Sequence, residues 1–348
     1  MNSLPAILRF GRKPVERIWG GQYLQSWLGG QGAGAGPVGE SWEIFDRGPQ
    51  DSSELLEPVA GCRSLHELME RHAEALLGRA SADAEGRFPL MLKLLDAQDR
   101  LSLQVHPDDD LARDLGTGDS GKDEAWVVLR AEPGAWLVRG LAPGHGIQEL
   151  FEVLEAGGDP EPLLLRLPSH RGDVVDIPAG TLHCIGPGNL LYEIQKNSDL
   201  TWRLSDWGRL GQDGRPRELH LAPGRRALES ATQPVTRDPE ADRSPKSGDG
   251  TSRDPGLLVD CSAFFLRRLL ADRVSERETG HLPQILTAVR GSARIRCGSE
   301  ETLLKEGDTC LVRGGVASYD VHPESVSRNT DNTDRVQCEL LLATPADR

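Results

Sequence analysis

Residues 101–124 read LSLQVHPDDDLARDLGTGDSGKDE. The first six alternate. Leu101, Leu103 and Val105 face one way and Ser102, Gln104 and His106 the other, which predicts a strand with one face in a core and the other carrying polar, metal-capable groups. Pro107 keeps His106 extended and ends the strand there. Asp108 is placed to cap a short helix that sets Leu111 and Leu115 one turn apart. The glycine-rich link 116–121 then returns the chain to a second strand, on which Lys122 and Glu124 share a face. Two strands therefore offer Gln104, His106, Lys122 and Glu124 to one cavity. A third metal-capable piece, GDVVDIPAGTLH at 172–183, is a Gly-Asp turn, a strand, a Pro-Ala-Gly turn and an exposed His183.

Acid–base groups follow closely. In YEIQKNSDLTWR at 192–203, alternation puts Glu193 and Gln195 on the face opposite Tyr192 and Ile194. His183 lies one turn and one strand earlier, so Glu193 can enter the same cavity.

The elements that must hold these groups are mostly short strands. A helix is signposted at Ser64, with Glu67 completing a capping box, an apolar stripe of Leu65, Leu68, Met69, His72 and Leu76, and Gly78 as the stop. His72 on that stripe reads as a packed core residue. Residues 88–95 form a buried strand leading into 101–106. Residues 124–129 and 135–138 read as a hairpin turning at Pro133-Gly134. A second helix spans 147–156, and strands resume at 173–177 and 190–195. Residues 230–256 hold almost no apolar side chains and read as a linker or disordered loop. Strand-like segments return from 257 onward, at 264–266, 286–289, 293–296 and 310–312.

The 348 residues include 39 glycines and 23 prolines, a turn-rich composition suited to a sandwich or barrel. A net charge of -14 excludes general nucleic-acid affinity, because no basic excess exists to neutralise phosphates. The six cysteines are scattered without a CxxC pair, which favours reduced thiols in a cytoplasm. No apolar run is long enough for a signal peptide or a membrane span.

The segment 172–183 follows the second motif of cupin barrels, Gx5Px4H. Where the first cupin motif has HxH, this chain has Gln104-Val105-His106, with the carboxylate arriving late at Glu124. With the blocks RIWGG, GESWE, FPLMLKLLDAQDRLSLQVHPDD, GKDE, IPAGTLH, EIQKNSDLTWR and GRPRELH, in order over residues 16 to 222, the chain resembles the short bacterial type I mannose-6-phosphate isomerases. The resemblance implies a mainly β fold of two cupin-like (jelly-roll) barrels with a few inserted helices. Residues 1–229 would form the catalytic domain, 230–256 a flexible linker, and 257–348 a metal-free cupin-like domain. In that second domain Arg313 fills the proline slot and Ser318 the histidine slot, so no ion is expected there.

The resemblance further implies an aldose–ketose isomerase with one zinc ion, held by Gln104, His106, Glu124 and His183. Such a donor set leaves residual positive charge on the ion and suits a Lewis acid. Moving a proton between C1 and C2 of a sugar through an enediol also needs a proton shuttle and a stabiliser of the oxyanion. By resemblance Arg203 is the catalytic arginine, and Glu193, Lys122 and Asp199 match acid–base or substrate-binding positions. Lys122 and Arg203 would also bind substrate, and Ser102 would add a hydroxyl. From Lys196 to Glu218 five cations (Lys196, Arg203, Arg209, Arg215, Arg217) face four anions, a favourable place for a phosphate on so acidic a chain. His220, His145, His170 and His281, and Trp126, Trp202 and Trp207, read as packing or surface residues. The expected partner is a small sugar phosphate, with no nucleic acid and no membrane; the oligomeric state is open, and a monomer suffices. The rival readings are an isomerase of an unphosphorylated sugar and a non-catalytic, metal-bearing sugar-binding cupin.

Overall fold

The computed structural model describes residues 4–28, 36–211, 213–231, 256–324 and 338–347. Most of the expected linker, from 232 to 255, lies outside the described residues. The chain is mainly β. In its first half the strands form two large antiparallel sheets, beside a two-stranded one of Glu54–Val59 and Cys62–Ser64. One has five strands, in the order Leu164–Pro168, Trp136–Leu141, His183–Ile185, Leu103–Val105, Trp202–Ser205. The other has six, in the order Val174–Ile177, Glu124–Ala131, Asn189–Lys196, Leu90–Ala97, Lys13–Gly21, Val38–Ile44. Trp19, Leu95, Leu101, Trp126, Leu137, Ile185 and Leu191, drawn from both sheets and their links, pack into one cluster.

The five-stranded sheet is covered outside by the helices Ile147–Glu155 and Leu221–Ser230. The six-stranded sheet turns its outer face to the second half of the chain. Leu92, Leu94, Val127, Tyr192 and Ile194 there share a core with Phe264, Leu266, Ile285, Leu311 and Leu341. The second half has a six-stranded sheet and a four-stranded one of its own. Its larger sheet includes Ile7–Leu8 from the start of the chain, paired with Val312 and Leu311.

Local signals explain most elements. The helix Leu65–Leu77 begins where Ser64 Oγ accepts the Glu67 amide at 3.2 Å. Glu67 itself caps the Arg63 amide at 2.7 Å. His72 departs from the expectation: it leaves helical geometry (φ -139, ψ 23) and is half-buried, so the helix kinks where a regular packed turn was expected. Asp108 caps Asp109–Asp114 as expected, accepting the Leu111 amide at 2.8 Å.

The expected hairpin at Pro133-Gly134 is corrected. Glu124–Ala131 finds its ladder partners in Val174–Ile177 and Asn189–Lys196, whereas Trp136–Leu141 pairs with Leu164–Pro168 and His183–Ile185. The turn is a corner between sheets. With both edges of each strand taken by later segments, no ladder is left for the two to share. All six cysteines are free thiols, and no helix among the described residues is long and apolar enough to cross a membrane.

Candidate functional site

Two rows of side chains, one on each sheet of the first half, build the site. On the five-stranded sheet Gln104 lies opposite His183 on one side and opposite Arg203 on the other. On the six-stranded sheet Glu124 lies opposite Gln195, and Glu193 lies between Trp126 and Lys93. Directly opposite residues in an antiparallel ladder project from the same face. His106, one residue beyond its strand, is kept extended by Pro107, and its imidazole is buried.

His106 Nε2 stands 3.4 Å from Glu124 Oε2, and His183 Nε2 stands 3.4 Å from Glu124 Oε1. The two rings are 4.7 Å apart, and Trp126 packs edge-on against His183 at 5.5 Å. His106 Nδ1 donates to the Leu200 carbonyl and His183 Nδ1 to the Thr181 carbonyl, each at 2.8 Å. A carbonyl only accepts, so both rings carry their proton on Nδ1 and present Nε2 lone pairs to the carboxylate. His106 Nε2 and both Glu124 oxygens are buried, and His106 Nε2 and Glu124 Oε1 have no hydrogen-bond partner. Acceptors facing acceptors in a dry site repel one another, unless a cation stands between them. His106, Glu124 and His183 can each offer an atom within 4.8 Å of the others'. The side-chain amide of Gln104 completes the group 3.0 Å from His183 Nε2, and a half-turn of the carboxamide would put Oε1 there. Nitrogen and oxygen donors of this kind, each histidine braced by a carbonyl, fit zinc.

The titratable groups are strongly biased. Burial, reinforced by the Lys122 charge, pushes His106 down to about 3, and burial lowers His183, so both rings are neutral. Burial works against ionisation of Glu124, but the Lys122 charge outweighs it and holds the carboxyl well below its usual range. Lys122 Nζ lies 2.8 Å from Glu124 Oε2. Burial opposes its charge too, yet Glu124 and Glu193 raise it above an ordinary lysine. Glu193 moves the other way, raised by burial and by the nearby Glu124. Trp126 Nε1 donates to Glu193 Oε2 at 2.9 Å, and Lys93 Nζ is 3.5 Å from Oε1.

Thus Gln104, His106, Lys122, Glu124, His183 and Glu193 come together. Ser102 is buried on the same strand face, with Oγ donating to Gln104 Oε1 at 3.3 Å. Arg203 is anchored through Nη1 to the Glu218 carbonyl (2.9 Å), and its amide donates to His220 Nδ1 (3.1 Å). Asp199 is exposed, at a distance from which its charge still acts on Lys122. The cations after residue 195 differ from a free phosphate patch. Lys196 pairs with Asp109, and Arg209 and Arg217 both grip Asp206. Arg203 has no carboxylate partner among the described residues, and Arg215 is exposed on its loop.

Sequence reasoning passed over Lys93 and Glu40. Lys93 is a single cation inside the buried strand LMLKLLDA, which was the available signal. Glu40, from the GESWE block, pairs with Arg17 at 2.7 Å and takes the Trp42 indole proton at 2.6 Å; burial would raise it, but Lys93 and Arg17 hold it low.

Residues 9–124 match the family model for the phosphomannose isomerase type I catalytic domain. The chain is 32% identical over 306 residues to the mannose-6-phosphate isomerase of Streptococcus mutans, covering 87% of this chain and 91% of that protein. It is 31% identical over 312 residues to the mannose-6-phosphate isomerase ManA of Bacillus subtilis, covering 88% and 93%. The crystal structure of the mannose 6-phosphate isomerase from Bacillus subtilis superimposes with a TM-score of 0.79 at 27% identity, over 97% of this chain and 99% of that one. A cupin fold, an ion-ready cluster in its interior and relatives aligned along nearly the whole chain all agree: this chain belongs to the type I mannose-6-phosphate isomerase family.

Proposed function

We propose that the protein interconverts D-mannose 6-phosphate and D-fructose 6-phosphate as an aldose–ketose isomerase with one zinc ion per chain, through an enediol of the sugar. The observation that carries this reading is the buried convergence of His106, Glu124 and His183, in which His106 Nε2 and Glu124 Oε1 have no donor to satisfy them. Zinc held there by Gln104, His106, Glu124 and His183 would supply a Lewis acid for the sugar's carbonyl or hydroxyl oxygen.

The remaining work falls to the chain's own side chains. Glu193, its pKa raised, is placed to carry the proton between C1 and C2, since a shuttle is most effective when its pKa approaches the working pH. Lys122, held protonated between Glu124 and Glu193, donates to substrate oxygens and balances charge as the enediolate forms. Arg203 orients the sugar phosphate and stabilises its developing negative charge with a guanidinium that no carboxylate among the described residues neutralises. Ser102 adds a hydroxyl to substrate binding, and Asp199, at the exposed rim, is a second proton-handling group.

The same reading divides the chain into a catalytic cupin barrel over 1–229, a linker over 230–256 and a metal-free cupin-like barrel over 257–348. It places the enzyme in a reducing cytoplasm, where six free thiols persist. All groups invoked come from one chain, so a monomer suffices.

A coupled assay on mannose 6-phosphate, with and without chelator and beside Arg203→Ala, tests the proposal. Turnover that chelator abolishes and zinc restores is expected. Absence of turnover by zinc-loaded protein would reject the enzyme reading, and turnover on free mannose alone would reject the substrate.

A further inference from the structure

Asp123 lies between Lys122 and Glu124, and its side chain leaves their cavity on the other side. Its carboxylate pairs with no cation among the described residues; both oxygens go to neutral donors. Oδ1 accepts the Ala179 amide at 2.9 Å, and Oδ2 accepts the Ser262 hydroxyl at 3.0 Å. The Asp123 carbonyl accepts the Lys196 amide at 3.1 Å.

Ala179 belongs to the Pro178–Ala179–Gly180–Thr181 turn, where the three ligand-bearing segments meet. The Gly180 amide donates to the His106 carbonyl at 2.7 Å, and the Thr181 amide closes the turn on Pro178 at 3.1 Å. The Thr181 carbonyl receives His183 Nδ1 at 2.8 Å. The turn cannot be braced by a larger side chain of its own. Gly180 has φ +77, and a Cβ there would fall 2.6 Å from Ala231 Cβ and 3.0 Å from the Ala227 carbonyl. Asp123 reaches the turn from outside it, through the Ala179 amide. Ser262 comes from the second half of the chain, across a cavity of about 440 Å³ lined by Asp123, Ala179, Lys196 and Ser262.

We propose that Asp123 is a positioning residue for the metal ion: through Ala179 it holds the turn that aims His183, and through Ser262 it makes the second half of the chain part of that support. The claim rests on the reading of His106, Glu124 and His183 as ligands. Groups behind a metal ligand fix its orientation, and their loss typically costs about 10- to 100-fold in metal affinity or activity. Asp123 acts on the ring through one turn of backbone, so the lower end of that range is expected.

The test uses the full-length, zinc-loaded protein, measuring zinc release into a chromogenic chelator and the visible spectrum of the cobalt-loaded form, both without substrate. Asp123→Ala is expected to release zinc about 10-fold faster and to shift the cobalt bands. Asp123→Asn keeps an oxygen for Ala179 and an amide that can face Ser262, so wild-type release and spectrum are expected from it. Ser262→Ala, at an exposed position, should release zinc about threefold faster, a fraction of the full effect.

Wild-type release from Asp123→Ala, or equally fast release from Asp123→Asn and Asp123→Ala, overturns the proposal. If Asp123→Ala does not fold, Ser262→Ala decides, and release at the wild-type rate rejects the support from the second half. A Glu124→Gln control separates the two readings. If wild-type protein takes up no stoichiometric zinc, or Glu124→Gln holds it as tightly, the ligand reading fails first.

Discussion

The two halves of the chain each stack one antiparallel sheet on another, and their interiors differ in charge. In the first half the space between the sheets holds Lys93, His106, Lys122, Glu124, His183 and Glu193, all buried. In the second half it is filled by Leu286, Ala288, Ile295, Leu304, Tyr319, Val321 and Leu340. The buried polar residues of the second half among those described are Thr279, Gln284, Thr287, Thr309 and Thr344, and none of them is ionisable. Burying charge is costly unless each charge has a partner, and removing one partner leaves the other stranded. The first half accepts that cost across a whole network; the second does not, and its neutral core serves to stabilise. Both halves stack sheet on sheet, and the buried ionisable cluster of the candidate site lies in the first.

The sharpest way to break this contrast is to remove a charge from the first interior without touching a ligand. Glu193→Gln keeps the shape of the side chain and an acceptor for Trp126 but cannot exchange a proton. Its kcat should fall about 10²- to 10⁴-fold with zinc content unchanged, as measured by steady-state kinetics and metal analysis. A variant with near wild-type kcat would assign the proton transfer elsewhere, with Lys122 and Asp199 next in line.

Arg203→Ala should cost about 10²- to 10³-fold in kcat, the scale for losing one preorganised donor to a developing oxyanion. Arg203→Lys should recover only part of it, because an ammonium cannot hold the Glu218 carbonyl and present a planar fork to substrate at once. Full recovery by lysine would reduce the role of Arg203 to that of a point charge.

The opposite operation belongs in the second half. Leu286→Ala opens a cavity in a fully buried position and should lower unfolding stability by about 2–5 kcal/mol in denaturant titrations. The turnover of the remaining folded protein should be unchanged. A loss of kcat beyond the unfolded fraction would mean that this core shapes the site directly.

What could be read from sequence follows from the range of the interactions involved. The extended segment carrying Gln104 and His106 was legible because alternation and Pro107 are local, and the helix caps at Ser64 and Asp108 were legible for the same reason. The corner at Pro133-Gly134 was misread as a hairpin because both need the same turn chemistry; only the later strands at 164–168, 174–177, 183–185 and 189–196 decide which is built. Lys93 went unassigned because its partner, Glu193, is 100 residues away and a buried apolar strand hides a single cation well. Counting charges from Lys196 to Glu218 could not reveal that Asp109 and Asp206 already take up three of the five. Asp123 sat inside a quoted motif, yet its role needs Ala179 and Ser262, which no spacing rule connects.

The smallest effect is expected where the two halves look most alike. Gly172 and Gly307 open matching Gly-Asp turns, with φ +93 and +91, values that favour glycine. Counting on from them, His183 in the first half corresponds to Ser318 in the second. The strand Ser318–Pro323, however, sends Tyr319 and Val321 into the core, while Ser318 is half-buried and donates to Glu276 Oε1 at 2.8 Å on the neighbouring edge strand. A histidine at 318 would face outward beside Glu276 and Glu278, both exposed on that edge strand, and one imidazole with two exposed carboxylates falls short of the four protein donors of a structural zinc site. Ser318→His should therefore leave zinc stoichiometry at one per chain and change stability by no more than about 0.5 kcal/mol, as surface substitutions usually do. A second equivalent of tightly held zinc in that variant would mean that the second interior is one residue away from a metal centre, and that a missing ligand, and not an apolar core, is what separates the two halves.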